Sequence, residues 1–172
     1  MITSQSIKTI NNFFDFHLEI YQLCKKFDFY DRENFNDRFK TKQNWPGLRT
    51  WDLSETSPFL FLHVLSCLNK NNIDTSAYRD IKGCCHVRFE KDEENDWIHR
   101  DPCDTVIIYL SDTNINSGTK FYDDTEKHEI SRINFVQNTC LFFQKPLPHR
   151  SFGSHGNEIE NSRMTLNFFM HR

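Results

Sequence analysis

The sequence predicts a mainly β protein with N-terminal helices, its strands forming a small barrel or jelly roll of about eight strands. Three observations carry that expectation. The first 80 residues hold two stretches of helical periodicity. After residue 80 the texture changes to short runs of β-branched and aromatic residues separated by turn chemistry. No internal repeat or low-complexity tract interrupts either part, so residues 1–172 are read as one domain, with 1–80 as helical support and lid and 81–172 as the β core.

The first helix is read from Ile10, Phe13, Phe14, His17, Leu18 and Tyr21, which fall on one face of a 3.6-residue period. His17 lies on that stripe and is read as a packed core histidine. Residues 28–52 are polar but carry Phe29, Tyr30, Phe35, Phe39, Trp45 and Trp51, with a turn at Pro46-Gly47. Long aromatic loops are often functional, so this segment is read as a lid, and Arg49 on it as a substrate-contact candidate. A second helix starts with Ser57 as N-cap and Pro58 at the first position, and stops at the asparagine cluster at 69–72. Strands are expected near 84–90, 96–101, 105–111, 119–122, 130–136, 139–144, 149–152 and 163–171.

Composition narrows the function. Thirty-seven per cent of the 172 residues are apolar, enough for a sizeable core. The net charge of −3 gives no global pull toward nucleic acid, and base oxidation would need a basic groove. No apolar run reaches membrane-span length, and the N-terminus lacks a signal-peptide pattern, so a soluble cytoplasmic protein is expected. The six cysteines form no C-x-x-C pair and read as small buried hydrophobes. A single alanine beside seventeen phenylalanines suggests an AT-rich bacterial or phage genome. Nothing in the sequence sets an oligomeric state.

Chemistry concentrates in the β part. His99-Arg100-Asp101 places two metal-ligating side chains on one face of the expected 96–101 strand. Later, the apolar run from Cys140 turns sharply through Pro146-Leu147-Pro148 and delivers His149. Two imidazoles and one carboxylate leave three positions of an ion open, the arrangement of non-haem iron(II) oxygenases, whereas closed zinc sites prefer four ligands. His155 is a rival third ligand. Arg163 and Thr165 share a face of the last strand, where a guanidinium and a hydroxyl suit a buried carboxylate.

The order His99-x-Asp101, His149, Arg163-x-Thr165 resembles the iron(II)/2-oxoglutarate-dependent dioxygenases, in particular the prolyl-hydroxylase-like branch, over roughly residues 84–171. Val87-Arg88-Phe89, the strand from Val106 to Ser111, Ser117-Gly118-Thr119-Lys120-Phe121 and Leu141-Phe142-Phe143 before Pro148-His149 add to the resemblance. It implies a double-stranded β-helix of jelly-roll, cupin-like type. Iron(II) would be held by His99, Asp101 and His149, and 2-oxoglutarate by Arg163 and Thr165. Oxygen would be consumed, with ascorbate as an optional addition, to hydroxylate a C–H bond and release succinate and carbon dioxide. Phe89 stands where that branch often has a cosubstrate-contacting tyrosine, leaving Tyr109 or Tyr122 to compensate, with Tyr109 the one assigned. The interval from His149 to Arg163 is fourteen residues, a few longer than is common in the branch, which fits a loop at 154–157.

The substrate implied is a peptidyl side chain, with proline as the default. A free amino acid or small metabolite, or a non-catalytic cupin-like metal-binding role, are the alternatives. A zinc hydrolase would need a general base that the sequence does not offer. Trp97 is expected to share the face of His99, as a substrate wall or as core. Arg100 and Arg150 should point away from the ligands. The acidic run at 90–96 reads as a solvated loop at the site mouth that disfavours anionic substrates, His63 and His86 as structural, and His128 as a surface residue.

Overall fold

The computed structural model describes residues 7–144, 146–153 and 155–172, with Glu94 and Asn95 described by backbone alone. Lys145, Ser154 of the expected 154–157 loop, and the first six residues used in the signal-peptide reading lie outside the described residues. The strands are β1 (Ile7–Ile10), β2 (Leu48–Arg49), β3 (Asp80–Arg88), β4 (Asp104–Tyr109), β5 (Asn114–Tyr122), β6 (Glu129–Phe135), β7 (Cys140–Phe143), β8 (His149–Phe152) and β9 (Arg163–His171). They form a large antiparallel sheet, β1-β7-β4-β9-β3-β2, and a small one, β6-β5-β8. The helices are α1 (His17–Cys24), α2 (Arg32–Phe39), α3 (Leu53–Thr56) and α4 (Pro58–Lys70).

Alternation along the strands of the large sheet sorts residues onto two faces. Cys85, Val87, Val106, Ile108, Met164, Leu166 and Phe168 face the helices, where they meet Leu60, Val64, Cys67 and Leu68 of α4. The opposite face looks toward the small sheet. One half of that gap is closed by Ile107, Tyr109, Leu141 and Phe143 against Phe121 and Phe135. The other half stays open as a cavity of about 600 Å³. All six cysteines are buried and unpaired.

Three expectations need correction. The first helix begins at His17, not near Ile10: residues 7–10 pair with β7 instead, and Asn12 takes the left-handed conformation at φ 51°. Phe13 and Phe14 are buried as the periodicity implied, but the Asn138 side chain satisfies the Phe14 backbone, accepting from its N–H and donating to its carbonyl, both at 2.9 Å. Leu18 is exposed and His17 only half-buried, so the apolar stripe does not continue through them. Second, residues 96–101 form no strand; His99 alone makes a bridge, to His149. Third, the acidic run is a 3-10 turn, Glu90–Asn95, and the carboxylate after it is turned inward: Asp96 is buried in an ion pair with Arg88 at 2.8 Å.

The segment read as a lid has structure of its own. Asp31 caps α2, accepting from the Asn34 N–H at 2.8 Å. Phe35 packs edge-on against Trp45 at 4.7 Å, and Phe39 stacks on Trp51 at 3.9 Å. β2 then joins the edge of β3, placing Leu48 opposite Val87 and Arg49 opposite His86. Gly47 precedes it at φ +83°, with its α-carbon against the Val87 carbonyl, so a side chain there has no room.

Candidate metal centre

His99 and His149 exchange both backbone hydrogen bonds across their bridge, at 3.0 and 2.9 Å, which sets their side chains beside each other. Their ring centroids lie 4.3 Å apart. Asp101 follows two residues after His99, and its Oδ2 is 3.5 Å from His149 Nε2. One ligand atom from each of the three lies within 4.8 Å of the others. The geometry on which the pleat argument relied is thus met by an isolated bridge rather than by a strand.

Hydrogen bonds around the three decide which atoms are free. His149 Nδ1 is 3.0 Å from the Leu147 carbonyl and His99 Nδ1 is 3.2 Å from the Trp97 carbonyl. A carbonyl only accepts, so each Nδ1 carries a proton and each Nε2 is the ring atom left to face an ion. Thr105 Oγ1 donates to Asp101 Oδ2 at 2.8 Å and orients that carboxylate. Burial, with the neighbouring His99 adding to it, holds His149 down to about 4, so its imidazole is neutral at pH 7. Two imidazoles whose Nδ1 atoms are engaged by carbonyls, beside a carboxylate with a fixed outer hydrogen bond, suit a divalent ion.

His155 is not part of this group. It lies edge-on to Phe135 at 5.1 Å, and both ring nitrogens are buried without a partner. Burial, and then the charge of Arg163, lower it to about 4.

Arg163 and Thr165 open β9 on the cavity side of the sheet. Arg163 is 5% exposed, its guanidinium carbon 5.6 Å from the Tyr109 ring and 5.4 Å from the Phe135 ring. Directly across the sheet from it stands Arg88, a like charge that Asp96 neutralises. Arg163 itself has no ion pair among the described residues, and burial drops it to about 10. Arg163 Nε, Thr165 Oγ1 and Asn167 Oδ1 are all buried without hydrogen-bond partners. Buried polar atoms are rarely left so, and one row of them on one face fits a missing polar ligand such as a carboxylate. Tyr109 is the inward-facing tyrosine: its hydroxyl is 2.7 Å from Thr119 Oγ1, and burial pushes it to about 12, so it stays a neutral phenol. Phe89 instead packs against the helix-side core, away from the place a cosubstrate-contacting tyrosine would need.

Other expected residues are placed as follows. Trp97 is partly exposed at the cavity mouth, its ring 6.3 Å from that of His99, so it is wall rather than core. Arg100 points away and binds Asp124 and Glu126. Arg150 is half-buried with an unpartnered Nε, where a solvated or paired side chain was expected. His63 stacks on Phe14, and His128 pairs with Asp123 at the surface. His86 lines the cavity, and its Nε2–H donates to the Pro46 carbonyl at 2.8 Å. Sequence reasoning missed the Arg88–Asp96 pair and Asn167. Continuing the two-residue step from Arg163 and Thr165 would have found Asn167; Asp96 gave no signal inside its acidic run.

No family model and no curated protein matches the sequence. Solved structures do match. The chain resembles HygX from Streptomyces hygroscopicus, crystallised with nickel and 2-oxoglutarate, at 12% identity and a TM-score of 0.67, covering 99% of this chain and 87% of that one. A prolyl-4-hydroxylase from Pseudomonas putida matches at 10% identity and a TM-score of 0.62, covering 97% and 92%. This chain shares their fold. The non-haem α-ketoglutarate-dependent epimerase SnoN from nogalamycin biosynthesis has it too, at 11% identity and a TM-score of 0.62, over 96% and 76%. Among the described residues no helix is long and apolar enough to cross a membrane.

Proposed function

We propose that the protein is a non-haem iron(II), 2-oxoglutarate-dependent dioxygenase that hydroxylates an unactivated C–H bond. The observation that carries this reading is the union, in one cavity, of a His–Asp–His group and a buried Arg163 whose Nε has no partner and which has no ion pair among the described residues. His99, Asp101 and His149 would hold the iron, a two-histidine, one-carboxylate donor set that suits iron(II). Arg163 and Thr165 receive the distal carboxylate of 2-oxoglutarate, which satisfies their orphaned Nε and Oγ1. Tyr109 lies under the Arg163 guanidinium and closes that end of the site. When bound, iron and 2-oxoglutarate activate oxygen, with succinate and carbon dioxide as co-products. The chain's own work is positional. Thr105 fixes Asp101, the carbonyls of Trp97 and Leu147 fix the imidazoles, and Phe143, 4.7 Å from His149, keeps water from one side of the centre.

A non-catalytic metal-binding role leaves Arg163 and Thr165 without a task, which favours the enzyme. By resemblance the substrate is a peptidyl side chain, proline first. Arg49, in the wall of the cavity, favours a small acidic substrate instead.

Anaerobic addition of iron(II) and 2-oxoglutarate should give a weak visible charge-transfer band that His99→Ala abolishes. No band from folded, iron-loaded protein would sink the oxygenase reading. Arg163→Ala should weaken 2-oxoglutarate binding at least a hundredfold while iron binding changes little, on the roughly 3 kcal/mol scale of a lost charge-assisted pair.

A further inference from the structure

The cavity holds more positive charge than the proposed cofactors consume. A divalent ion and Arg163 are matched by Asp101 and a doubly charged 2-oxoglutarate. Arg88 is matched by Asp96. Arg49 is left over, with Lys82 exposed beside it at the mouth.

Arg49 is not placed like a surface arginine. β2 pairing sets it opposite His86, on the cavity side of the large sheet. Its guanidinium carbon lies 4.6 Å from the Trp45 ring and 5.9 Å from the Phe169 ring. Its Nε is buried with no acceptor, and among the described residues it has neither a side-chain hydrogen bond nor an ion pair. A guanidinium held between aromatic faces keeps its planar fork free for a two-oxygen acceptor. Phe169 and Arg163 stand at opposite ends of the cavity face of β9, so Arg49 and Arg163 serve different parts of the space. Asp101 is fixed by Thr105, which pairs with Phe169, so the metal group lies at the Phe169 end of β9, across that strand from β2. Among the described residues of the acidic run only Asp96 lines the cavity, and Asp96 is already paired.

We propose that Arg49 is the anchor for a carboxylate on the substrate, so that the enzyme acts on a small organic acid whose carbon skeleton lies between Trp45, Phe169 and the metal. This rests on the oxygenase reading above. It replaces a neutral prolyl side chain with an acid, either a free one or the carboxylate of a short peptide.

The test uses protein loaded with manganese(II) and 2-oxoglutarate without oxygen, which occupies Arg163. Acetate, isobutyrate, benzoate and 3-phenylpropionate, each with its primary amide, are titrated in, and proton line broadening by manganese is read. At least one acid should bind ten times more tightly than its amide and be broadened in the parent. Arg49→Gln should lose that binding at least tenfold, and Arg49→Lys should restore part of it. A short peptide bearing a C-terminal carboxylate, run beside its amidated form, separates peptide from free acid. Acids that bind no better than amides, or that bind Arg49→Gln as well as parent, overturn the proposal. Affinity for 2-oxoglutarate, measured calorimetrically in parent and Arg49→Gln, should be the same. If the parent binds no 2-oxoglutarate the oxygenase reading fails; if only Arg49→Gln loses it, Arg49 belongs to the cosubstrate and the anchor assignment is overturned.

Discussion

The two faces of the large sheet differ by one residue of register and by almost everything else. Val87, Val106, Ile108, Met164, Leu166 and Phe168 make one face dry and closely packed against α4. On the other, His86, Arg88, Arg163 and Asn167 look into a cavity, and Arg163 Nε and Asn167 Oδ1 have no partner. Both faces are made by the same hydrogen-bonded strands. One face therefore supplies stability and the other spends part of it on unpaired polar groups, as sites built for ligands do.

Substitutions on the two faces should break apart accordingly. The largest effect belongs to Phe168→Ala, which empties a fully buried site facing Phe61 and should cost about 3–5 kcal/mol in urea unfolding. A loss under about 1 kcal/mol would mean that the helix-side core is not what holds the sheet. On the cavity side, Arg163→Met should do the reverse. Removing a buried charge that has no ion-pair partner among the described residues should raise apo stability by about 1–4 kcal/mol while 2-oxoglutarate binding disappears. A less stable variant would show that the hydrogen bond to Tyr109 already outweighs the cost of burying Arg163 in the ligand-free protein.

Acid should act on the cavity face through its histidines. His86 is held well below its ordinary value by burial, with Arg49 and Arg88 adding to it, and His155 near 4. Unfolded, each titrates near 6.5, so below about 6.5 the unfolded chain takes up protons that the folded one refuses, a window that for His155 extends down to about 4. Their stabilising contribution is complete above about 6.5 and is lost as the pH falls through that window. His86→Gln, which keeps a donor for the Pro46 carbonyl, should flatten the stability profile there; an unchanged profile would remove His86 from the account. Thr165→Val should be mildest. It replaces an orphaned hydroxyl with a methyl, so stability should change by less than about 1 kcal/mol while 2-oxoglutarate affinity falls several-fold. Equal affinity would leave the hydroxyl without a role.

Much of this contrast was legible from the chain. Pro58 after Ser57 marked the start of α4, and the alternating apolar and polar residues of 163–170 marked a sheet with two unlike faces. Arg163 and Thr165 followed from that alternation. What failed was local competition. The i, i+3, i+4 spacing of Ile10, Phe13 and Phe14 suits a helix, but β7 offered an edge and Asn12 a left-handed turn, and pairing prevailed. The 96–101 strand failed because Asp96 is bound to Arg88 and Ser151, partners 8 and 55 residues away that no local pattern encodes. Asp31 ahead of Asn34 was a readable cap for α2, passed over in a segment taken as loop.

The bridge between His99 and His149 carries a consequence for how long a metal stays. These two residues are at once neighbours in a backbone pair and the two imidazoles of the metal group. An ion held by both side chains clamps the same two residues that the backbone already joins. Releasing it then requires the edge of the small sheet to open, or the opening of that edge requires its release. Residence time and edge breathing become one rate, and amide exchange at His99 and His149 should slow together when the ion is added.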